Sequence, residues 1–189
     1  MTDIKTQLAE CMTQLSYPES ANLKQRGIAD KIEEACNQII KANFADVTDA
    51  RSRRSIEDVN IGKVYVDHKT SDAALDFKMP NLISIDRLMK LDRPLLYNFV
   101  IYDSNTQQIK HCFVLDVYEL NWNFLKIQNL GVGQLQITNM TKFLEAPKSN
   151  MAKEEWLTRL QAEAIMFYSA LEDKCRKRKD KWDKWKILS

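Results

Sequence analysis

The chain reads as an α/β protein on three observations. Apolar residues recur at helical spacing near both ends, at Ile4, Leu8, Cys11, Met12 and Leu15 and again at Trp156, Leu160, Ala164, Phe167 and Leu171. Between these ends lie runs rich in β-branched and aromatic residues, Val64-Tyr65-Val66 foremost. A content of 44% hydrophobic residues over 189 positions supplies a sizeable core, at a length expected of one domain.

A first helix is expected over 2–15, broken by Tyr17-Pro18-Glu19-Ser20. A second spans 22–43, with Ile28, Ile32, Ala35, Cys36, Ile39 and Ile40 as its apolar stripe. Glu33 lies one position off that stripe, either at the core edge or facing the hairpin that follows. Residues 48–55, with Arg51, Arg53 and Arg54, are polar and basic, a solvated loop or the flank of a nucleic-acid path. A β-hairpin over 58–69 comes next, then a loop over 72–77 and Pro80-Asn81. Residues 82–91 read as a helix with Ser84 and Asp86 as caps. Strands follow over 94–103 and 108–121, joined by Ser104-Asn105-Thr106, and a short one over 124–128. Residues 129–133 form a turn, too sparse in glycine and too far from a helix for a phosphate loop. Residues 134–139 alternate polar and apolar, as a half-exposed strand does. A long amphipathic helix closes the chain over 152–186, with Lys174 the place where it would break. Four Gly and four Pro leave no linker-like tract, and no domain boundary is visible.

The segment Asp58 to Lys69 carries the chemistry. It holds two carboxylates and a lysine in the pattern D-x8-D-x-K. Asp67 and Lys69 are two apart, so a strand turns them to one face. With the turn at Ile61-Gly62, Asp58 falls opposite Tyr65 and diagonal to Asp67 on that same face. Two carboxylates and an ammonium converging there suit a hard cation such as Mg²⁺. Metal-assisted phosphodiester hydrolysis needs such a set: Asp58 and Asp67 to hold the ion, Lys69 to orient water or offset developing charge. The bland alternative is a solvated charged face.

Composition narrows the field. No run of 18 apolar residues suggests a membrane span, and the sequence from Met1 to Thr6 has no apolar signal core. Cys11, Cys36, Cys112 and Cys175 have no metal-like spacing and read as reduced thiols of a cytoplasmic protein. His68 alternates away from Asp67 and reads as structural; His111 is the only other histidine. The net charge of +2 is uneven, since residues 174–186 hold eight Lys or Arg against two Asp, a local +6 that leaves about −4 elsewhere. That block, including Arg176 and Lys177, interleaves cations with Trp182 and Trp185. It could grip phosphates, or end a helix that the tryptophans anchor to the core.

On these residues the chain resembles the PD-(D/E)xK nucleases, and within them the blunt-cutting, HincII-like type II restriction endonucleases. Beyond the D-x8-D-x-K core, the likeness rests on Met79-Pro80-Asn81-Leu82-Ile83-Ser84, on residues 32–46, and on a closing helix that begins at Glu154-Glu155-Trp156. It covers roughly residues 25–187. Glu57 stands where those enzymes have proline, and the chain is shorter than most of them, so recognition could draw on a partner subunit. The resemblance implies a mixed central sheet flanked by helices and Mg²⁺-dependent, sequence-specific cleavage of double-stranded DNA. It also implies a homodimer matched to a palindromic site, and base-reading contacts from Asn81, Asn129, Gln134, Gln136 and Asn139. Asn and Gln suit that role because each can bond an adenine edge bidentately. The N-terminal helix or residues 22–43 would form the dimer interface. A repair or nicking endonuclease of the same fold, a non-catalytic DNA-binding subunit and a soluble interaction protein are the alternatives.

Overall fold

The computed structural model describes residues 2–19, 25–52, 55–74, 80–129 and 133–183. In chain order the elements are α1 (Thr2–Cys11), α2 (Gln25–Asn43), β1 (Val47–Asp49), β2 (Val59–Ile61), β3 (Val64–Asp72), β4 (Asn81–Ser84), α3 (Ile85–Met89), β5 (Leu95–Asp103), β6 (Gln108–Asp116), β7 (Leu125–Asn129), β8 (Gly133–Ile137), α4 (Met140–Glu145) and α5 (Lys153–Asp183). The architecture is α/β: a mixed five-stranded sheet in the order β1-β2-β3-β5-β6, a three-stranded sheet in the order β4-β8-β7, and packed helices. In the larger sheet β3 runs antiparallel to β2 and parallel to β5, and β6 closes antiparallel to β5.

Alternation along the strands divides the core between the two faces of the larger sheet. Val64 and Val66 of β3, with Leu96, Val100 and Tyr102 of β5, pack under α1 and α2. Leu8, Cys11 and Met12 cover that face from the first helix, and Ile28, Ile32, Cys36 and Ile40 from the second. Each of the large side chains buried there stabilises the fold by roughly 1.5–3 kcal/mol. The apolar stripes of both helices therefore face the sheet, and a dimer contact through either would use its polar side. Leu95, Tyr97, Phe99 and Ile101 face the other way, toward the smaller sheet, α3, α4 and the start of α5.

Three elements differ from the sequence reading. The segment read as a helix over 82–91 is a strand followed by a short helix, because Asn81 pairs with Gln136 and Ser84 with Gln134 of β8. Ser84 is nonetheless the cap, accepting from the Arg87 backbone at 3.4 Å. Residues 117–119, assigned to the strand over 108–121, form a 3₁₀ turn held by an Asp116–Glu119 capping box. The stretch 134–139 is a strand only to Ile137; Asn139 caps α4, its Oδ1 accepting from the Lys142 backbone at 3.0 Å.

Helix α5 runs unbroken to Asp183, past the break expected near Lys174. At 1.5 Å per residue it is roughly 45 Å long. Only its first half is seated. Trp156 is fully buried and donates from Nε1 to the Leu120 carbonyl at 2.9 Å, Leu160 is buried, and Ala164 and Phe167 pack partly. Beyond Leu171 every described residue is exposed, Trp182 at 64%, so Trp182 is no core anchor; Trp185 lies outside the described residues. Gly133, at the start of β8, lies against Ile85 and Phe167, and a Cβ there would overlap Ile85. Among the described residues no helix is long and apolar enough to cross a membrane.

Truncating the buried tryptophan, Trp156→Ala, is expected to cost about 3–5 kcal/mol in chemical denaturation. Trp182→Ala should stay within about 0.5 kcal/mol of wild type. Comparable losses for both would mean that the distal half of α5 packs on the body.

Candidate active site

The site starts from the β2–β3 turn. Gly62 takes a φ of 58° at the first central position of a two-residue turn with Lys63, and its N–H donates to the Asp46 carbonyl at 2.7 Å. That left-handed conformation is one glycine adopts without a Cβ penalty. Ile61 is consequently a strand residue paired with Val64 and buried, where the sequence reading made it part of the turn. Asn60, and not Asp58, is paired with Tyr65. Asp58 lies farther along, next to Asp67: its N–H donates to the Val66 carbonyl at 2.9 Å, and its Oδ2 accepts the His68 N–H at 2.7 Å.

Asp67 is buried, and its Oδ2 is 2.7 Å from the Lys69 ammonium. The ammonium also lies 5.7 Å from the centre of the Tyr97 ring, on the neighbouring strand. Burial pushes the Asp67 carboxyl up to about 7, against the pull of Lys69 and with the help of the adjacent Asp58. Desolvation thus outweighs the ion pair. The Tyr97 hydroxyl is buried without a hydrogen-bond partner among the described residues, and burial followed by the charge of Asp67 raises its pKa.

His68 points to the other face. It sits between Asn37 and Asn98, each 3.0 Å from a ring nitrogen, and burial lowers it to about 4. It is a neutral structural residue that ties α2 to β3 and β5. Glu33 projects from α2 onto that same layer, accepting from the Thr70 hydroxyl at 3.2 Å. Burial and then the charge of Asp58 raise its carboxyl, so its field reaches the pair, but it does not line their cleft.

The cleft is a cavity of about 460 Å³ between the two sheets. Asp58, Asp67 and Lys69 lie on one side, Leu82, Ile83, Ser84, Arg87 and Gln134 on the other, with Ser55 and Ile56 beside them. Of the residues expected to read bases, Gln134 reaches this wall. Gln136 shares its face of β8, opposite Asn81 on β4 and Lys126 on β7, while Gln134 is opposite Ser84 and Gln128. One polar face of the small sheet therefore continues from the carboxylates outward. Asn139 is turned to its cap, and Asn129 ends β7 opposite Gly133. Arg51 is exposed after β1, whose residues 47–49 include part of the segment expected to be a loop, and Arg53 and Arg54 lie outside the described residues. On α5, Arg176 is paired with Asp173 at 2.8 Å, whereas Lys177 joins Lys174, Arg178 and Lys181 along one exposed groove. The sequence reading missed Ser84 as a cleft residue, Arg87, Tyr97 and the pair Lys126 and Gln128. None of these roles carried a local sequence signal, because the second wall of the cleft is set by the pairing of β4 and β7 with β8.

A larger cavity of about 620 Å³ lies elsewhere, lined by Lys5, Asp116, Glu119 and Lys148 among others. It is crossed by ion pairs, Lys5 to Glu119 at 2.6 Å and Lys148 to Glu119 at 3.1 Å, and its buried Asp116 caps the turn at 117–119, accepting from the Tyr118 backbone.

The residues fit a hard divalent cation. Asp58 and Asp67 offer oxygen donors only, and a buried carboxyl beside a second one is a place where positive charge is wanted. Among the described residues no group of three or more His, Cys, Asp or Glu side chains converges to hold a metal. A cation here would complete its shell with water and substrate oxygens, as Mg²⁺ commonly does on one or two carboxylates. No protein-family model matches the chain, and no curated protein matches it in sequence.

The buried carboxyl makes stability depend on pH. With the Asp67 carboxyl raised from 3.8 to about 7, the folded chain keeps a proton that the unfolded chain releases, so this stabilisation is full below about pH 4 and lost as pH rises through about 7. Asp67→Asn is neutral throughout. In EDTA, its melting temperature should gain on that of wild type between about pH 5 and pH 8. Parallel curves for the two proteins would show that Asp67 is ionised across the range.

Proposed function

We propose that this chain is a Mg²⁺-dependent type II restriction endonuclease cleaving double-stranded DNA at a specific sequence. It would act as a cytoplasmic homodimer in a restriction–modification system. The observation that carries the reading is the convergence of Asp58, Asp67 and Lys69 in one cleft that opens along the polar face of a second sheet. The mixed sheet flanked by helices agrees with what the resemblance to the PD-(D/E)xK nucleases implies. Four free cysteines fit a reducing compartment.

Asp58 and Asp67 would hold a Mg²⁺ ion, which when bound would supply a Lewis acid for the phosphoryl oxygen and lower the pKa of a coordinated water. Lys69, ion-paired to Asp67 and backed by the Tyr97 ring, is fixed where it can orient the water or offset charge on the pentavalent transition state. Gln134 and Asn81 would offer amides to base edges from the adjoining face, and the basic groove of α5 would hold phosphates farther off.

Incubating the protein with plasmid or phage DNA tests the reading: discrete fragments with Mg²⁺ and none with EDTA support it, and intact DNA in both refutes it. Asp67→Asn and Lys69→Ala should each lower cleavage on the order of 10²-fold or more without loss of fold, and Asp67→Asn should retain or tighten DNA binding. Wild-type turnover in either would remove it from the chemistry. In a metal titration, Asp58→Ala should require more Mg²⁺ while Glu57→Ala stays close to wild type, because Asp58 lines the cleft and Glu57 does not. Deleting residues 176–189 should make log affinity against log salt shallower by about 0.9 per lost phosphate contact, with base discrimination and melting temperature nearly unchanged. An unchanged slope would take the tail off the DNA surface.

A further inference from the structure

Two cations line the carboxylate cleft, and they are differently employed. Lys69 is ion-paired with Asp67. Arg87, on the opposite wall, has an exposed side chain with no hydrogen bond, ion pair or ring contact among the described residues. Its position is nevertheless fixed. Ile85 and Leu88 of the same short helix are buried in the core, and Ser84 caps the helix through the Arg87 backbone N–H. The adjacent Asp86 is engaged elsewhere, its Oδ1 accepting from the Tyr168 hydroxyl of α5 at 3.1 Å. The backbone is thus held, and a guanidinium with five N–H donors lines a cavity of about 460 Å³ together with two carboxylates.

An arginine held open in this way suits an anion of planar, bidentate geometry. Ser84 and Gln134, paired across β4 and β8, add neutral polar groups on the same wall. With a divalent cation on Asp58 and Asp67, the two acids are neutralised and Lys69 and Arg87 leave the cleft positive, which favours a phosphate between the walls. We infer that Arg87, with Ser84 and Gln134, forms a phosphate subsite that seats the substrate phosphodiester against the carboxylate pair. The inference rests on the nuclease reading for the identity of the substrate, and the phosphate site itself can be tested without it. Arg87 is a positioning residue here: it holds a non-bridging oxygen while the bond is broken elsewhere on the phosphorus.

The probe is inorganic phosphate, titrated in the presence of Mg²⁺ into the full chain and into Arg87→Ala and Arg87→Lys, with backbone amide shifts as the readout. Shifts at Ser84, residue 87 and Gln134 are expected in wild type, weakened on the order of 10- to 100-fold in apparent affinity by Arg87→Ala and less by Arg87→Lys, which keeps the charge and loses the fork. The exposed side chain makes both variants safe for the fold, and their unperturbed spectra elsewhere verify it. Absence of these shifts in wild type, or equal phosphate affinity in Arg87→Ala, overturns the subsite. Plasmid cleavage is run beside the titration. A phosphate site that depends on Arg87 in a protein that cuts no DNA sinks the nuclease reading and keeps the subsite. Where DNA is cut, Arg87→Ala should raise KM more than it lowers kcat, and an unchanged KM counts against the subsite.

Discussion

The structure turns on the burial of one carboxyl group. Strand β3 is paired with β5 along Tyr65–Asp72 and with β2 along Val64–Val66, and the Asp67 side chain lies largely removed from water at the edge of the cleft. An ionised Asp there is stabilised by Lys69, yet desolvation and the neighbouring Asp58 still raise it to about 7. A fold selected for stability alone would place an apolar residue at this point, since a buried ion pair often does no better than a hydrophobic substitute. The pair persists beside an open cleft, where a cation can enter and relieve it. This is the physical link between the sheet and the chemistry.

The two sheets have separate tasks around that cleft. The larger one sets the acids: a turn at Gly62 fixes the β2–β3 register and so brings Asp58 beside Asp67. The smaller one sets the opposite wall through the pairing of Ser84 with Gln134. Their relative placement is held by a shared apolar layer in which Tyr97, Phe99, Leu135, Phe143 and Trp156 meet. The aromatic rings of Phe99 and Phe143 lie 5.4 Å apart, and those of Trp122 and Trp156 5.0 Å apart, so the layer is tightly interlocked.

The histidine beneath the site belongs to this support. His68 lies between Asp67 and Lys69 in sequence but faces the α1–α2 layer, where burial keeps it neutral and Asn37 and Asn98 bond its ring nitrogens. Its backbone N–H meanwhile anchors Asp58. One residue thus fastens a helix to the sheet with its side chain and orients a cleft carboxylate with its main chain. Glu33 and Thr70 make a parallel link on the same face. The layer of helices α1 and α2 positions the cleft from behind without entering it.

Local pattern alone determined the helices of both ends, the hairpin, the strands β5 and β6 and the side of β3 shared by Asp67 and Lys69, because period and turn chemistry act over a few residues. The sequence left the turn one residue out, since Ile61-Gly62 and Gly62-Lys63 both place glycine centrally and only pairing with buried partners chooses between them. It misread 82–91 because Leu82-Ile83 is a short apolar run that suits helix and strand alike, until β8 supplies hydrogen bonds to β4. It could not show that α5 leaves the body after Leu171, because an apolar stripe does not reveal where its partner surface ends. The opposite wall of the cleft, Ser84, Arg87 and Gln134, and the depth at which Asp67 is buried were decided by tertiary structure alone. Ser84, Arg87 and Gln134 lie 15 to 65 positions from Lys69 in the chain, and the energy that brings them together is that of the common core between two sheets, which no local segment contains.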